Sequence, residues 1–230
     1  DVLEIGDQMR PHLYRLSQSK PSPVVPRSRM IEVDERRDAF GNVVTELTQA
    51  EAQRVADALA ALEPEAVAVC LGFSYLDDSH ETLLEQTIGR RLPGVPIYLS
   101  SRVNPQIEEY PRANTTAVAA YVGPVVDRYV STLDQALAGD GVSAPLRLMR
   151  SDGGVATPQS ARDNPAAMLL SGPAGGVIAG ASIAGELDVP DLVTFDMGGT
   201  SADFSVIASN EPRMVTARHI DGQPLRLPSL

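Results

Sequence analysis

The stretch from Val193 to Val206, VTFDMGGTSADFSV, leaves this chain fewer options than any other part of it. An apolar run enters a tight Gly198-Gly199 turn and leaves it as a segment of strict alternation. That pattern predicts a buried strand, a glycine turn and a second strand. Ser201, Asp203 and Ser205 then share one face of the second strand, and Ala202, Phe204 and Val206 share the other. Glycines let a ligand approach the backbone of the turn. Asp196 stands at the entry, and Thr200, Ser201 and Asp203 stand at the exit. A carboxylate, bare amides and hydroxyls around one sharp turn form a cradle for a metal-bound phosphate. The same residues also form an ordinary hairpin with a capping aspartate, and spacing alone does not separate the two.

Composition narrows the surroundings. With 230 residues, 43% hydrophobic and 21% charged, the chain can build one large domain or two small ones. A formal net charge of −11 argues against a nucleic-acid or anionic-membrane partner. No apolar run reaches the ~20 residues of a membrane helix. The polar start, Asp1-Val2-Leu3-Glu4, has no signal-peptide pattern. The single cysteine, Cys70, cannot form an internal disulfide, so a cytoplasmic setting is expected. It lies in the apolar run Ala66 to Leu71 and reads as a core strand residue rather than a nucleophile. His12, His80 and His219 show no metal-ligand spacing.

Along the chain, Asp1 to Gln8 reads as a short helix and Lys20 to Pro26 as a proline-dense connector. Met30 to Arg36 alternates as a strand, followed by a turn and a second strand over Phe40 to Val44. Thr48 and Glu51 form a capping box that opens a helix to about Leu62, with Val55, Leu59 and Leu62 on one stripe. A strand over Ala66 to Leu71, a helix capped by Ser79 and a strand over Ile97 to Ser100 make a βαβ unit with parallel strands. Phe73-Ser74-Tyr75 and Ser100-Ser101 then lie at the carboxyl edge of that sheet, where either a ligand site or a plain loop fits. A long helix is predicted from Ala117 to about Ala138, with Pro124 as a kink or as its true start.

Two further loops carry glycines. Leu146 to Met149 is a predicted strand that runs into Arg150-Ser151-Asp152-Gly153-Gly154, a ligand loop or a simple turn. Ser171-Gly172-Pro173-Ala174-Gly175-Gly176 opens a small-residue helix whose free N–H groups suit an anion. Its spacing is not that of a dinucleotide-binding fingerprint. Arg213 to Ala217 and Leu225 to Leu227 read as further antiparallel strands.

These motifs, taken in order, resemble a known family. Phe195-Asp196-Met197-Gly198-Gly199-Thr200-Ser201-Ala202-Asp203 is similar to the F-D-M-G-G-T-S-T-D signature of the hydantoinase A / 5-oxoprolinase family, which includes acetone carboxylase β-type subunits. Met149 to Gly154 resembles its M-Q-S-D-G-G, and Leu170 to Val177 matches L-S-G-P-A-G-G-V. Glu109-Tyr110-Pro111-Arg112 with Thr115-Thr116 resembles E-Y-x-R-x-x-T-T. His80-Glu81 sits where the family carries a His-Glu pair, and Asp1 to Gly6 resembles D-V-L-E-I-G. The likeness spans essentially the whole chain.

The resemblance implies an α/β chain with mixed sheets and flanking helices, part of an actin/hexokinase/Hsp70-like (RNase H-like) ATPase fold. It implies that residues 1–115 are the end of the hydantoinase/oxoprolinase N-terminal region and that 116–230 begin the hydantoinase A domain. Because the family's first phosphate motif is missing, the sequence is expected to be an internal piece of a longer subunit. The implied activity is ATP- and Mg²⁺-dependent opening of a cyclic amide (hydantoin, N-methylhydantoin or 5-oxoproline) through a phosphorylated amide, with a B-type partner subunit. Asp196, Asp203 and Asp152 are the implied catalytic residues, with Asp196 toward the metal. Gly198, Gly199, Thr200, Ser201, Ser171, Gly172, Gly175, Gly176, Gly153 and Gly154 are implied at the nucleotide. Arg150 and Ala202 depart from the family pattern near the cleft and bear on the substrate. A non-catalytic nucleotide-binding fragment, an ATP-dependent ketone carboxylase subunit and a small-molecule kinase are the alternatives.

Overall fold

The computed structural model describes residues 2–7, 14–17, 22–199 and 201–230. Thr200, His12, the ends of the predicted first helix (Asp1 and Gln8) and the Lys20-Pro21 start of the connector lie outside the described residues. In chain order, α1 is Val2–Ile5, β1 Arg36–Arg37, β2 Val43–Thr45, α2 Gln49–Ala60, β3 Val67–Val69, α3 Ser79–Arg91, β4 Ile97–Leu99 and α4 Ser100–Val103. Then follow α5 Glu109–Gly139, β5 Leu148–Met149, β6 Val155–Ala156, α6 Pro158–Asp163 and α7 Ser171–Glu186. The chain closes with β7 Leu192–Met197, β8 Ala202–Ala208, β9 Glu211–Pro212, β10 Arg218–Ile220 and β11 Gln223–Leu225. Contacts divide it into two compact units, residues 1–124 with 219–226 and residues 125–218 with 227–230.

The first unit is built on the expected βαβ arrangement. β3 and β4 pair in parallel, with Val67 opposite Ile97 and Val69 opposite Leu99, and α3 is their connection. Leu84 and Ile88 of α3 and Val55 of α2 meet Val67, Val69 and Leu99 in one core. Burying a side chain such as Leu84 contributes about 1.5–3 kcal/mol.

Caps explain where the helices begin. The Thr48 hydroxyl accepts the Glu51 N–H at 3.2 Å, as the capping box requires. Glu51 does not complete the box. Its carboxylate accepts the Asp34 N–H at 2.9 Å and pairs with Arg54 at 2.7 Å. The Arg54 bond first, and the Asp34 amide next, pull the Glu51 carboxyl from its ordinary value near 4.5 down to about 2. A depressed carboxyl stabilises the fold above its unfolded pKa, and that contribution fades as pH falls through the folded value. Glu51→Gln is therefore expected to unfold at lower urea than the parent at neutral pH. The gap should close as pH drops from about 4.5 towards 2. A gap independent of pH would refute this account.

The same carboxylate accounts for a corrected strand. Residues 30–35 join no ladder, and only Arg36–Arg37 pairs with β2. The Asp34 amide is taken by Glu51 and the Glu35 amide bonds Val33 O at 3.1 Å, so neither serves a ladder. The alternation was real all the same, because Ile31 and Val33 pack on the core. Ser79 is likewise the first residue of α3 and not its cap. Asp77 Oδ1 accepts its N–H at 2.9 Å, and its hydroxyl accepts from Arg37.

α5 begins at Glu109 rather than Ala117 and runs through Pro124 without restarting. Residues 112–120 are buried, polar ones included. Asn114 Nδ2 donates to Pro224 O at 2.8 Å, and Thr115 Oγ1 accepts the Arg226 N–H at 3.0 Å, which fixes the β10–β11 hairpin. Gly123 leaves room for the Tyr98 ring, since a Cβ there would stand 2.1 Å from its hydroxyl oxygen.

In the second unit, Val130 of α5 packs with Ala156 and Ala161. β7, β8 and β9 form an antiparallel sheet in that order. The strand expected over Arg213 to Ala217 reduces to one bridge, Val215 to Ser229, and the next ladder falls on β10 and β11. No helix among the described residues is long and apolar enough to cross a membrane.

Candidate functional site

The β7–β8 hairpin has the register its alternation predicts. Asp196 lies opposite Asp203, Thr194 opposite Ser205 and Leu192 opposite Ile207, all on one face. Val193, Phe195 and Met197 share the other face with Ala202, Phe204 and Val206. The Gly198 N–H donates to Ser201 O at 2.9 Å and closes the turn. Thr200, expected at the nucleotide, is one of the undescribed residues.

One expectation is corrected here. β7 is not a buried strand: Phe195 is 57% exposed and Met197 74%, and Phe204 across from Phe195 is 71% exposed. The two phenylalanine rings stack on each other at 4.8 Å instead. Alternation separates the two faces but does not say what covers them. Among the described residues, the packed side is that of Leu192, Thr194 and Ile207, and α7 packs it.

α7 holds five glycines in 16 residues, each costing about 1 kcal/mol of intrinsic helix stability against alanine. Packing against the sheet is what offsets that cost. A Cβ on Gly180 would come within 2.4 Å of Thr194 Cγ2 and 3.3 Å of Ile207 Cδ1, so the helix backbone lies directly on the side chains of the hairpin. Residues 187–191 connect α7 to β7. Among the described residues, a Cβ on Gly172 or Gly176 would meet nothing within 4 Å, which leaves open space on the Gly172–Gly176–Gly180 stripe. Gly175 faces another neighbour, Met149 of β5.

At its start, α7 has no side-chain cap, and Leu170 enters it in the left-handed region at φ 60°. The N–H groups of Ser171 and Gly172 have no intrahelical partner, and Pro173 supplies none. Small-residue spacing of four, Gly172-Gly176-Gly180, was the signal that marks Gly180. It was legible as close contact, though not as contact with this hairpin.

The Ser151 loop joins the same helix from its other side. Gly153 has φ +80°, and a Cβ there would strike Ile178 of α7 at 2.7 Å. Asp152 accepts the Gly154 N–H at 2.9 Å on one oxygen and an Arg150 N–H at 2.7 Å on the other. The Ser151 N–H donates to Ala167 O at 2.8 Å. Asp152 thus shapes the loop backbone, while Asp196 and Asp203 are exposed with no charged partner among the described residues.

Among the described residues, no group of three or more His, Cys, Asp or Glu could hold a metal by itself. Two facing carboxylates beside a bare turn suit a hard cation that keeps most of its ligands as water and phosphate oxygens, which is how Mg²⁺ binds.

Hairpin, glycine helix and glycine loop define an α/β chain with small mixed sheets, of the architecture found in hydantoinase-like ATP-dependent enzymes. A crystal structure of the ATP-dependent caprolactamase from Pseudomonas jessenii superposes with a TM-score of 0.84 at 29% identity, over 99% of this chain and 33% of that one. A nucleotide-free acetone carboxylase superposes with a TM-score of 0.79 at 26% identity, over 91% and 30%. The hydantoinase/oxoprolinase family model matches residues 112–230, and the model of that family's N-terminal region matches residues 1–92. The chain belongs to the hydantoinase/oxoprolinase family. The 5-oxoprolinase of Saccharomyces cerevisiae is 30% identical over 234 residues, 89% of this chain and 18% of the yeast protein. The chain spans about a third or less of the length of these relatives.

Proposed function

We propose that this chain belongs to the nucleotide-handling part of an ATP-dependent enzyme that opens a cyclic amide, within an actin/hexokinase/Hsp70-like fold. The observation that carries the reading is the register that sets Asp196 opposite Asp203 on the α7 side of a glycine turn. The similarity to a caprolactamase and to a 5-oxoprolinase supports the class of reaction.

In this reading, residues 1–115 end the N-terminal region and 116–230 begin the hydantoinase A domain. ATP with Mg²⁺ would supply the phosphoryl group that turns an inert amide oxygen into a leaving group. Asp196 would orient the metal or its water, and Asp203 would hold a second water. The bare backbone of Gly198 and Gly199, with Thr200 and Ser201, would accept phosphate without steric conflict. Gly172 and Gly176 leave the facing wall open, and the Ser171 and Gly172 amides offer an anion two donors. Gly175 seats α7 on β5. Asp152 holds Gly153 and Gly154 in shape at the rim. Preorganised donors of this kind stabilise developing charge without reorganising. A B-type partner subunit and a reducing cytoplasm complete the proposal.

The test is ADP release and product analysis on the full-length protein with hydantoin, N-methylhydantoin, 5-oxoproline and caprolactam. ADP release coupled to a ring-opened acid from at least one of them is expected. ADP release that instead requires a ketone and bicarbonate would replace this reading with carboxylation. A stable phosphorylated product would replace it with a kinase.

A further inference from the structure

We propose that the first unit carries a separate binding site for a small amphoteric carboxylate, of the amino-acid class, centred on Arg112. A cavity of about 250 Å³ opens between residues 35–37, the segment 70–73 that follows β3, and the first turn of α5. Arg112 lines it and is only 1% exposed. Its guanidinium donates to Leu71 O at 2.7 Å and to Gln106 O at 2.9 Å, and lies 5.3 Å from the centre of the Tyr75 ring. Its Nε, sealed from solvent, has no hydrogen-bond partner among the described residues. No described carboxylate lies within 4.0 Å of the group. Two carbonyls and a ring face compensate a buried cation only in part, because burying a charge without a counter-charge is costly.

The nearby acid does not fill that role. Glu81 is fully buried, but its oxygens accept the Leu71 and Ser101 amides and both the Ser100 and Ser101 hydroxyls. A second guanidinium repeats the pattern. Arg37, 6% exposed, pairs with Asp77 at 2.9 Å and donates to Gly41 O, yet its Nε also lacks a partner while the residue lines the cavity. Two buried guanidinium groups line one cavity, and Arg112 has no counter-charge among the described residues; a carboxylate, which takes paired N–H donors, matches such a group.

The rest of the lining selects among anions. Arg36, Arg37 and Arg112 stand against Glu35 and Glu109, an excess of positive charge in a chain whose net charge is −11. A phosphate dianion would be repelled by both carboxylates. A ligand whose carboxylate meets Arg112 and whose ammonium or N–H meets Glu109 satisfies both groups, while Glu35 already bonds His80 Nδ1 at 2.8 Å. Gly72 supplies the open floor, since a Cβ there would meet only Glu109 Oε1 at 3.9 Å. This site lies within residues 2–113 and does not depend on the phosphate reading of the β7–β8 hairpin.

The test is calorimetric titration of the chain with L-proline, L-glutamate, acetate and inorganic phosphate. One-site binding of at least one amino acid is expected, with acetate about tenfold weaker or worse and phosphate weaker still. Gly72→Leu fills the floor without strain and should weaken amino-acid binding by about tenfold or more, with an unchanged circular-dichroism spectrum. Arg112→Lys keeps the charge, loses the planar pair of N–H donors and should do the same. Cys70, the only cysteine, lines the cavity, so the amino acid should slow its alkylation in the parent and not in Gly72→Leu. Tighter binding of phosphate, undiminished amino-acid binding by Gly72→Leu, or no saturable binding and no protection of Cys70 by millimolar amino acid would each overturn the proposal.

Discussion

Asp196→Asn in the full-length protein is expected to cut ATP-dependent turnover by about a thousandfold while leaving the melting temperature nearly unchanged. Asp196 is exposed, at the end of a strand, and its only described counterpart across the ladder is another carboxylate. Such a residue contributes little to folding and has no structural task to lose. Its charge matters only if a cation and phosphate come to the turn. Asp152 provides the contrast within the same unit. Its oxygens serve Gly154 and Arg150, so Asp152→Asn should lower stability by about 1–3 kcal/mol, with a smaller effect on turnover. Steady-state ADP release beside thermal unfolding separates the two. Unaffected turnover in Asp196→Asn would remove the hairpin from the chemistry.

How much of this was legible in the sequence depends on the range of the forces involved. The hairpin register, the Thr48 cap and the parallel β3–β4 pair follow from local periodicity and short-range hydrogen bonds, and the residues show them directly. What local pattern could not show is where a donor or a face finds its partner. Met30 to Arg36 alternates correctly, but the Asp34 amide prefers a carboxylate 17 residues away, and no ladder forms before Arg36. Phe195 and Phe204 alternate correctly too, yet their face is open. Arg112 stood out as part of a motif, and its meaning lies in the cavity it borders, which only the meeting of three distant segments creates. The candidate site follows the same division. The acidic turn and both glycine loops were readable one by one, whereas the seating of α7 on the hairpin depends on the close contact of Gly180 with the Thr194 side chain.

Removing the Glu81 carboxylate is expected to be the most damaging single change in the first unit. This side chain is fully buried and takes Leu71 N at 3.1 Å, Ser101 N at 3.0 Å, and the Ser100 and Ser101 hydroxyls at 2.6 Å each. It ties α3 to the segments that leave both strands of the parallel pair, including the Leu71 carbonyl that holds Arg112. Glu81→Ala leaves two buried amides without acceptors and opens a cavity, and should cost about 3–5 kcal/mol. Glu81→Gln keeps the volume but turns one acceptor into a donor that faces other donors, and should cost about 2–3 kcal/mol. Ser101→Ala removes a single hydroxyl from the set and should cost about 1 kcal/mol. Urea unfolding midpoints rank the three variants, and an unchanged slope would show that the folded state is what has been weakened. If Glu81→Gln unfolds with the parent, the carboxylate is not what joins helix to sheet, and the burial of its charge needs another cause.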